Sequence, residues 1–199
     1  MPVAEDVAAL LGQMMSPKGV DPVPLAAVTP TEMREAMRAT AALFRAGAEP
    51  IVVHRIEQPM VPGRQGEVVV RVYSPETTRA VIVYFHGGSW VAGDVDTHDL
   101  VTRRFCRDTG AVVVSVDYRK VPENPFPAPL DDAYDATTWA RGRWPDLPLV
   151  VAGDSAGGTL AACVALRARD EGGPRIDGQV LIYPAIDEDA DVPSMATPA

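Results

Sequence analysis

From Ile51 onward the chain alternates short apolar runs with segments of helical spacing. Val81–Phe85, Ala111–Val116, Leu149–Ala152 and Gln179–Tyr183 are continuous apolar runs, the pattern of strands buried on both faces of a sheet. Helical segments are predicted between them over Thr97–Thr109, closed by Gly110, over Pro129–Arg141, and over Ala156–Arg169. The last of these is apolar nearly all round and is expected to be buried. Two further strands are expected ahead of this region, Ile51–Gln58 and Glu67–Tyr73, separated by the turn-like Val61-Pro62-Gly63. Apolar strands joined by helices predict an α/β fold with a mostly parallel sheet covered on both faces.

The first fifty residues have a different rhythm. Val3–Met15 has helical spacing, and Pro17, Pro22 and Pro24 then interrupt it. A second helix is announced by Thr29 as N-cap, Pro30 at the first helical position and Glu32 completing a capping box. Met33, Ala36, Met37, Ala41 and Phe44 fall on one face of that helix, and Gly47 is placed to end it.

Composition narrows the function classes. The 199 residues are 47% hydrophobic and 23% charged, a globular balance within the range of one domain. Lys plus Arg total 18 against 27 Asp plus Glu, for a net charge of −9. That charge repels phosphate backbones, so no nucleic-acid partner is expected. Two cysteines, Cys106 and Cys163, make no disulfide framework. The acidic N-terminus lacks the features of a signal peptide, and no apolar run reaches the length of a membrane span. A cytoplasmic protein without metal or other cofactor is expected.

The candidate chemistry centres on Gly153-Asp154-Ser155-Ala156-Gly157, a G-x-S-x-G pattern with an apolar strand before it and a helix directly after it. Such a turn exposes the Ser155 hydroxyl at the C-terminal edge of the sheet. The N–H of Ala156, at the helix N-terminus, can then face a developing oxyanion. A second glycine-rich turn, His86-Gly87-Gly88-Ser89-Trp90, follows the strand ending at Phe85. Its backbone N–H groups can complete an oxyanion hole beside the nucleophile.

Together with Val121-Pro-Glu-Asn-Pro-Phe-Pro127 and Tyr183-Pro184, these motifs resemble the hormone-sensitive-lipase family of α/β-hydrolase esterases, in order and in spacing. The resemblance implies a serine carboxylesterase of short-chain acyl esters, with Ser155 as nucleophile and the N–H groups of Gly87, Gly88 and Ala156 as oxyanion hole. His86 and Asp154 would support these motifs as structural residues. Residues 1–47 would form a helical cap segment and residues 48–199 an incomplete α/β-hydrolase core.

One part of the family pattern is missing. The triad order is Ser, then Asp or Glu, then His, whereas His54, His86 and His98 all precede Ser155. His54 reads as a half-exposed strand residue, His86 as an anchor of the oxyanion loop and His98 as a surface or capping residue. Asp187, after the last strand, could stand in for the acid only if a base were present. The sheet is expected to lack the two strands that carry acid and base, leaving a bare apolar edge where a partner subunit or segment could pair. The alternative is a catalytically impaired fragment or a non-enzymatic ligand-binding protein on the same fold, lacking the triad acid and histidine. The plant gibberellin receptors, which resemble this family and lack a working base, provide the precedent.

Overall fold

The computed structural model describes residues 27–46 and 49–187. The expected helix over Val3–Met15, the proline-rich linker, Gly47 and most of the acidic tail lie outside them.

Among the described residues there are four helices and seven strands: α1 (Pro30–Ala46), β1 (Arg55–Glu57), β2 (Met60–Gly63), β3 (Gly66–Ser74), β4 (Val81–Phe85), α2 (Asp99–Thr109), β5 (Val112–Asp117), α3 (Ala128–Arg143), β6 (Leu149–Asp154), α4 (Ala156–Glu171) and β7 (Gly178–Ile182). The sheet runs β1-β3-β5-β4-β6-β7, with β2 also paired to β3. β5, β4, β6 and β7 are mutually parallel, and β3 is antiparallel to β5 and to β1 and β2.

Alternation along the central strands divides the core in two. Val81, Val83 and Phe85 of β4 join Val112, Val114 and Val116 of β5 and Leu149 and Val151 of β6 on the face covered by α3 and α4. Ile82, Tyr84, Val113 and Ala152 face the other way, against Cys106 of α2. Both faces of these strands are dry, which is why their sequences read as unbroken apolar runs.

Three expectations differ from the structure. Val61-Pro62-Gly63 is strand β2, paired with β3 so that Val61 lies opposite Val68, and the reversal falls at Arg64-Gln65 between Gly63 and Gly66. Pro62 is tolerated because β2 is an edge strand, where a missing N–H breaks no ladder. Ile51–Gln58 contributes only Arg55–Glu57 as strand, and His54 is exposed just ahead of it. Helix α4 is buried on one face only, through residues such as Leu160, Ala161, Val164 and Ala168, while Leu166 is exposed.

Helix α1 has the predicted capping box. Thr29 N–H donates to Glu32 Oε2 (2.8 Å) and Glu32 N–H to Thr29 Oγ1 (3.3 Å). Its predicted apolar stripe is only partly covered: Met33, Met37 and Ala41 are half-buried, while Ala36 and Phe44 are exposed and no residue of the helix is fully buried. Polar contacts hold it instead. Arg34 donates to Val91 O (2.8 Å) and Val121 O (3.1 Å) and forms a two-pronged pair with Glu123 (2.9 and 2.7 Å). The bond to Arg34 brings the Glu123 carboxyl down to about 2. Arg38 reaches Asp94, and Arg45 reaches Asp96 O.

At the opposite end, β7 pairs only with β6 among the described strands. Val180, Leu181, Tyr183 and Ile186 in and after it are exposed. No helix of the described residues is long and apolar enough to cross a membrane.

Candidate active site

Strands β4 and β6 are parallel neighbours, with Phe85 opposite Gly153. The two glycine-rich turns therefore leave the sheet side by side at its C-terminal edge. Small residues permit the contact. A Cβ on Gly157 would overlap the Phe85 carbonyl oxygen, and one on Gly153 would overlap the backbone of Gly157. The two glycines of G-x-S-x-G are thus required by backbone meeting backbone.

Ser155 occupies the turn between β6 and α4 with φ 51° and ψ −120°, a conformation that ordinary side chains rarely adopt. The end of β7 and the residues after it hold the turn there. Ser155 N–H donates to Ile182 O (2.9 Å), and Thr159 Oγ1 donates to Ala185 O (2.7 Å). Ala156 is the first residue of α4, and its N–H donates no hydrogen bond among the described residues.

The other turn is folded back on itself. Val91 and Ala92 N–H groups both donate to Gly88 O (3.0 and 2.8 Å), and Gly88, Ser89 and Trp90 all have positive φ. The N–H groups of Gly88 and Ser89 donate to no described residue. Gly87 is engaged differently, since its N–H donates to Asp154 Oδ1 (3.0 Å).

Asp154 ties the two turns together. The same Oδ1 accepts from Tyr84 Oη (2.6 Å), and Oδ2 lies 3.5 Å from His98 Nε2. Burial opposes ionisation of this carboxyl, but His98, Tyr84 and the Gly87 N–H outweigh it, and its pKa lies below the ordinary carboxylate value. Burial, followed by the Asp154 charge, pushes the Tyr84 phenol far up, so Tyr84 stays a donor.

His86 lies beneath the loop, fully buried and stacked on Tyr118 at 4.2 Å between ring centres. Its Nδ1 is 2.9 Å from Gly87 O, which makes Nδ1 the protonated nitrogen, and Nε2 has no partner. Burial, with His98 adding to it, brings its pKa down to about 3. The ring is therefore neutral and serves as packing and as a brace. Gly93, at φ 88°, is required against it, because a Cβ there would overlap His86 Nδ1.

The structure thus brings Ser155, Ala156, Asp154, His86, Gly87 and Gly88 into one cluster. It also adds His98 and Tyr84, which the sequence reading did not place there. His98 heads α2 without capping it and turns its ring inward, with Nδ1 2.9 Å from Thr97 Oγ1. Its neighbours Asp96 and Asp99 mark a helix start, and nothing in their spacing marks an inward ring. His54 is outside the cluster. No group of three or more His, Cys, Asp or Glu among the described residues is arranged to hold a metal ion.

Comparisons with known proteins agree with this geometry. A family profile described as the alpha/beta hydrolase fold matches residues 82–199. Esterase LipI of Mycobacterium tuberculosis is 46% identical over 152 residues, covering 71% of this chain and 48% of that protein. The arylesterase of Saccharolobus solfataricus is 35% identical over 127 residues, covering 60% of this chain and 41% of its own. A solved hyperthermophilic esterase from Pyrobaculum calidifontis superposes with a TM-score of 0.82 at 41% identity, covering 94% of this chain and 60% of that structure. The chain spans about half the length of the curated relatives it matches. By motif, fold and relatives, it belongs to the hormone-sensitive-lipase-like esterase group of the α/β-hydrolase family.

Proposed function

We propose that this chain carries the nucleophile and oxyanion-binding part of a serine carboxylesterase acting on short-chain acyl esters. One observation carries the reading. Ser155 is held on a strand-to-helix turn at φ 51°, beside the unengaged N–H groups of Ala156, Gly88 and Ser89. Ser155 Oγ attacks the ester carbonyl carbon and its proton passes to a base. The carbonyl oxygen takes the negative charge and is met by those N–H groups. Expulsion of the alcohol, which receives the proton, leaves an acyl-enzyme that water then hydrolyses. The oxyanion donors in this reading are Gly88, Ser89 and Ala156. Gly87 contributes by fixing the loop through Asp154.

The base is supplied from elsewhere in this reading. No histidine follows Ser155 in the sequence. His86 is neutral and enclosed, and His98 is engaged with Asp154. Acid and base would enter on a segment or partner subunit that pairs along the open edge of β7. A cap segment over residues 1–47 belongs to this reading, and α1 is its described part. The location is cytoplasmic and the partner is a small-molecule ester, with no nucleic acid. The absence of a free histidine near Ser155 favours one second reading, a non-enzymatic binding relative.

Hydrolysis of p-nitrophenyl butyrate, compared with Ser155→Ala, tests the first reading. In a comparable triad the oxyanion hole and binding alone leave about 10³–10⁴ over the uncatalysed rate, whichever triad member is lost, so only turnover above that level reports the nucleophile. Turnover above it that disappears in Ser155→Ala supports the esterase. Equal rates in the two proteins, with butyrate ester still bound, support the binding protein.

A further inference from the structure

The two edges of the sheet are finished differently. On one, β1 carries Arg55 and Glu57 and β2 carries Pro62, residues that blunt an edge against further pairing. On the other, β7 reads Gly-Gln-Val-Leu-Ile, without charge or proline, and its outer side has no described partner. Val180 and Leu181 are 40% and 37% exposed there.

Register with β6 fixes which backbone groups are open. Asp154 is aligned with Ile182, and Ser155 N–H donates to Ile182 O. Bonded residues alternate along a parallel strand, so Gly178, Val180 and Ile182 turn their backbone groups to β6. Those of Gln179 and Leu181 point outward. Gln179 is aligned with Val151, which belongs to the core beneath α3 and α4, so Gln179 and Leu181 share that face of the sheet. A groove of about 450 Å³ runs along β7, lined by Ala165 and Arg169 of α4 and by Ile176 and Gln179.

We propose that two copies of this chain pair along β7, antiparallel about a two-fold axis through Val180, to make a dimer with one continuous sheet. In that register Gln179 of each copy faces Leu181 of the other, and the pair exchanges both of its N–H···O bonds. All the outward groups of the two residues are then used. Val180 faces its own counterpart at the close, non-bonded position, where β-branched pairs pack well. An axis normal to the sheet keeps the faces matched, so Leu181 of one copy enters the groove beside Gln179 of the other. The surface is thus complementary to itself, as a two-fold interface requires.

A second copy suits this edge better than the chain's own tail. Residues 188–199 include Glu188, Asp189, Asp191, Pro193 and Pro198, all poor in strands. The net charge of −9 on each copy opposes association, and so short a pairing lies at the small end of specific interfaces. A weak dimer is expected, with Kd on the order of tens of micromolar. The proposal does not depend on the esterase reading. The segment that supplies acid and base in that reading needs the same edge, so self-pairing competes with it.

Sedimentation equilibrium of the full chain is expected to show a monomer–dimer equilibrium that shifts toward dimer as salt screens the like charges. Residue-by-residue amide exchange reads the register. The N–H groups of Gln179 and Leu181 are expected to gain about tenfold protection from dilute to concentrated protein, and those of Val180 and Ile182, bonded to β6 throughout, far less. Val180→Lys and Val180→Glu each place like charges opposite one another and are expected to be monomeric, with the unfolding midpoint of the dilute native chain. Mixed together, they are expected to form a heterodimer. A native chain that stays monomeric at every concentration overturns the proposal, as does growth into larger assemblies in place of a dimer. Protection of Gln179 and Leu181 that does not change with concentration assigns the edge to the chain's own C-terminal residues and overturns it too. A dimer that survives Val180→Lys lies on another surface, and a mixture of the two variants that stays monomeric overturns the Val180 register.

Discussion

His98 Nε2 stands 3.5 Å from Asp154 Oδ2, and the other oxygen of that carboxylate accepts the N–H of Gly87. A side chain at the head of α2 is thereby connected, through the residue before Ser155, to the glycine-rich turn after β4. Three separate segments converge on one buried carboxylate, and its removal has a defined cost.

Asp154→Ala leaves Tyr84 Oη and the Gly87 N–H without their acceptor in a buried setting. A loss of about 2–6 kcal/mol in unfolding free energy is expected, each of the two orphaned donors costing about 1–3. His98→Asn keeps a polar group near the carboxylate and is expected to cost less. Urea unfolding of the three proteins checks the order, and an unchanged midpoint in Asp154→Ala would remove the carboxylate from this role.

Gly157→Ala tests the contact of the two turns. The added methyl would overlap the Phe85 carbonyl oxygen and approach that of His86, both backbone atoms that cannot swing aside. A destabilisation above about 3 kcal/mol is expected, at the upper end for a single substitution. Thermal unfolding beside Gly142→Ala, at a helical glycine with open space around it, supplies the control.

The buried ring of His86 makes stability depend on pH. Its folded pKa of about 3 lies below the ordinary value of 6.5. Between these values the unfolded chain binds a proton that the folded chain does not, so stability falls as pH falls through that window. The slope is about 1.4 kcal/mol per pH unit for one such group. His86→Asn keeps a donor for Gly87 O without titrating. Denaturant titrations from pH 7 to pH 4 should show a shallower decline in the variant, and identical slopes would exclude His86 as the source.

Because α1 has no fully buried residue, its attachment depends on charged side chains more than on apolar area. Arg34→Met keeps the stem of the side chain and removes its bonds to Val91 O, Val121 O and Glu123. Faster amide exchange across Pro30–Ala46 is expected, with β4–β6 unchanged. High salt should have the same effect on the native chain in weaker form, since Glu123 is exposed.

The sequence revealed the strand-helix alternation because β4, β5 and β6 are dry on both faces, which leaves their apolar runs unbroken. It revealed the two glycine turns because backbone contact admits little else at Gly153 and Gly157 in one and at Gly88 in the other. The position of the hairpin was not legible. Val61-Pro62-Gly63 has turn composition, and only the burial of Val61 opposite Val68 makes it strand. The direction of His98 was not legible either, since it depends on where Asp154 arrives from a strand far along the chain. The stripe on α1 suggested a buried face, but Arg34, Arg38 and Arg45 carry the attachment and leave Phe44 exposed.

The positive φ of Ser155 has a consequence of another kind. A serine held in that region stores strain of about 1–3 kcal/mol, which glycine would not bear. Ser155→Gly would then give a chain more stable than the natural one and unable to form an acyl-enzyme. One of the strained positions of this fold is thus the proposed nucleophile, so accumulating changes selected for stability alone would erase the proposed chemistry before they disturbed the sheet.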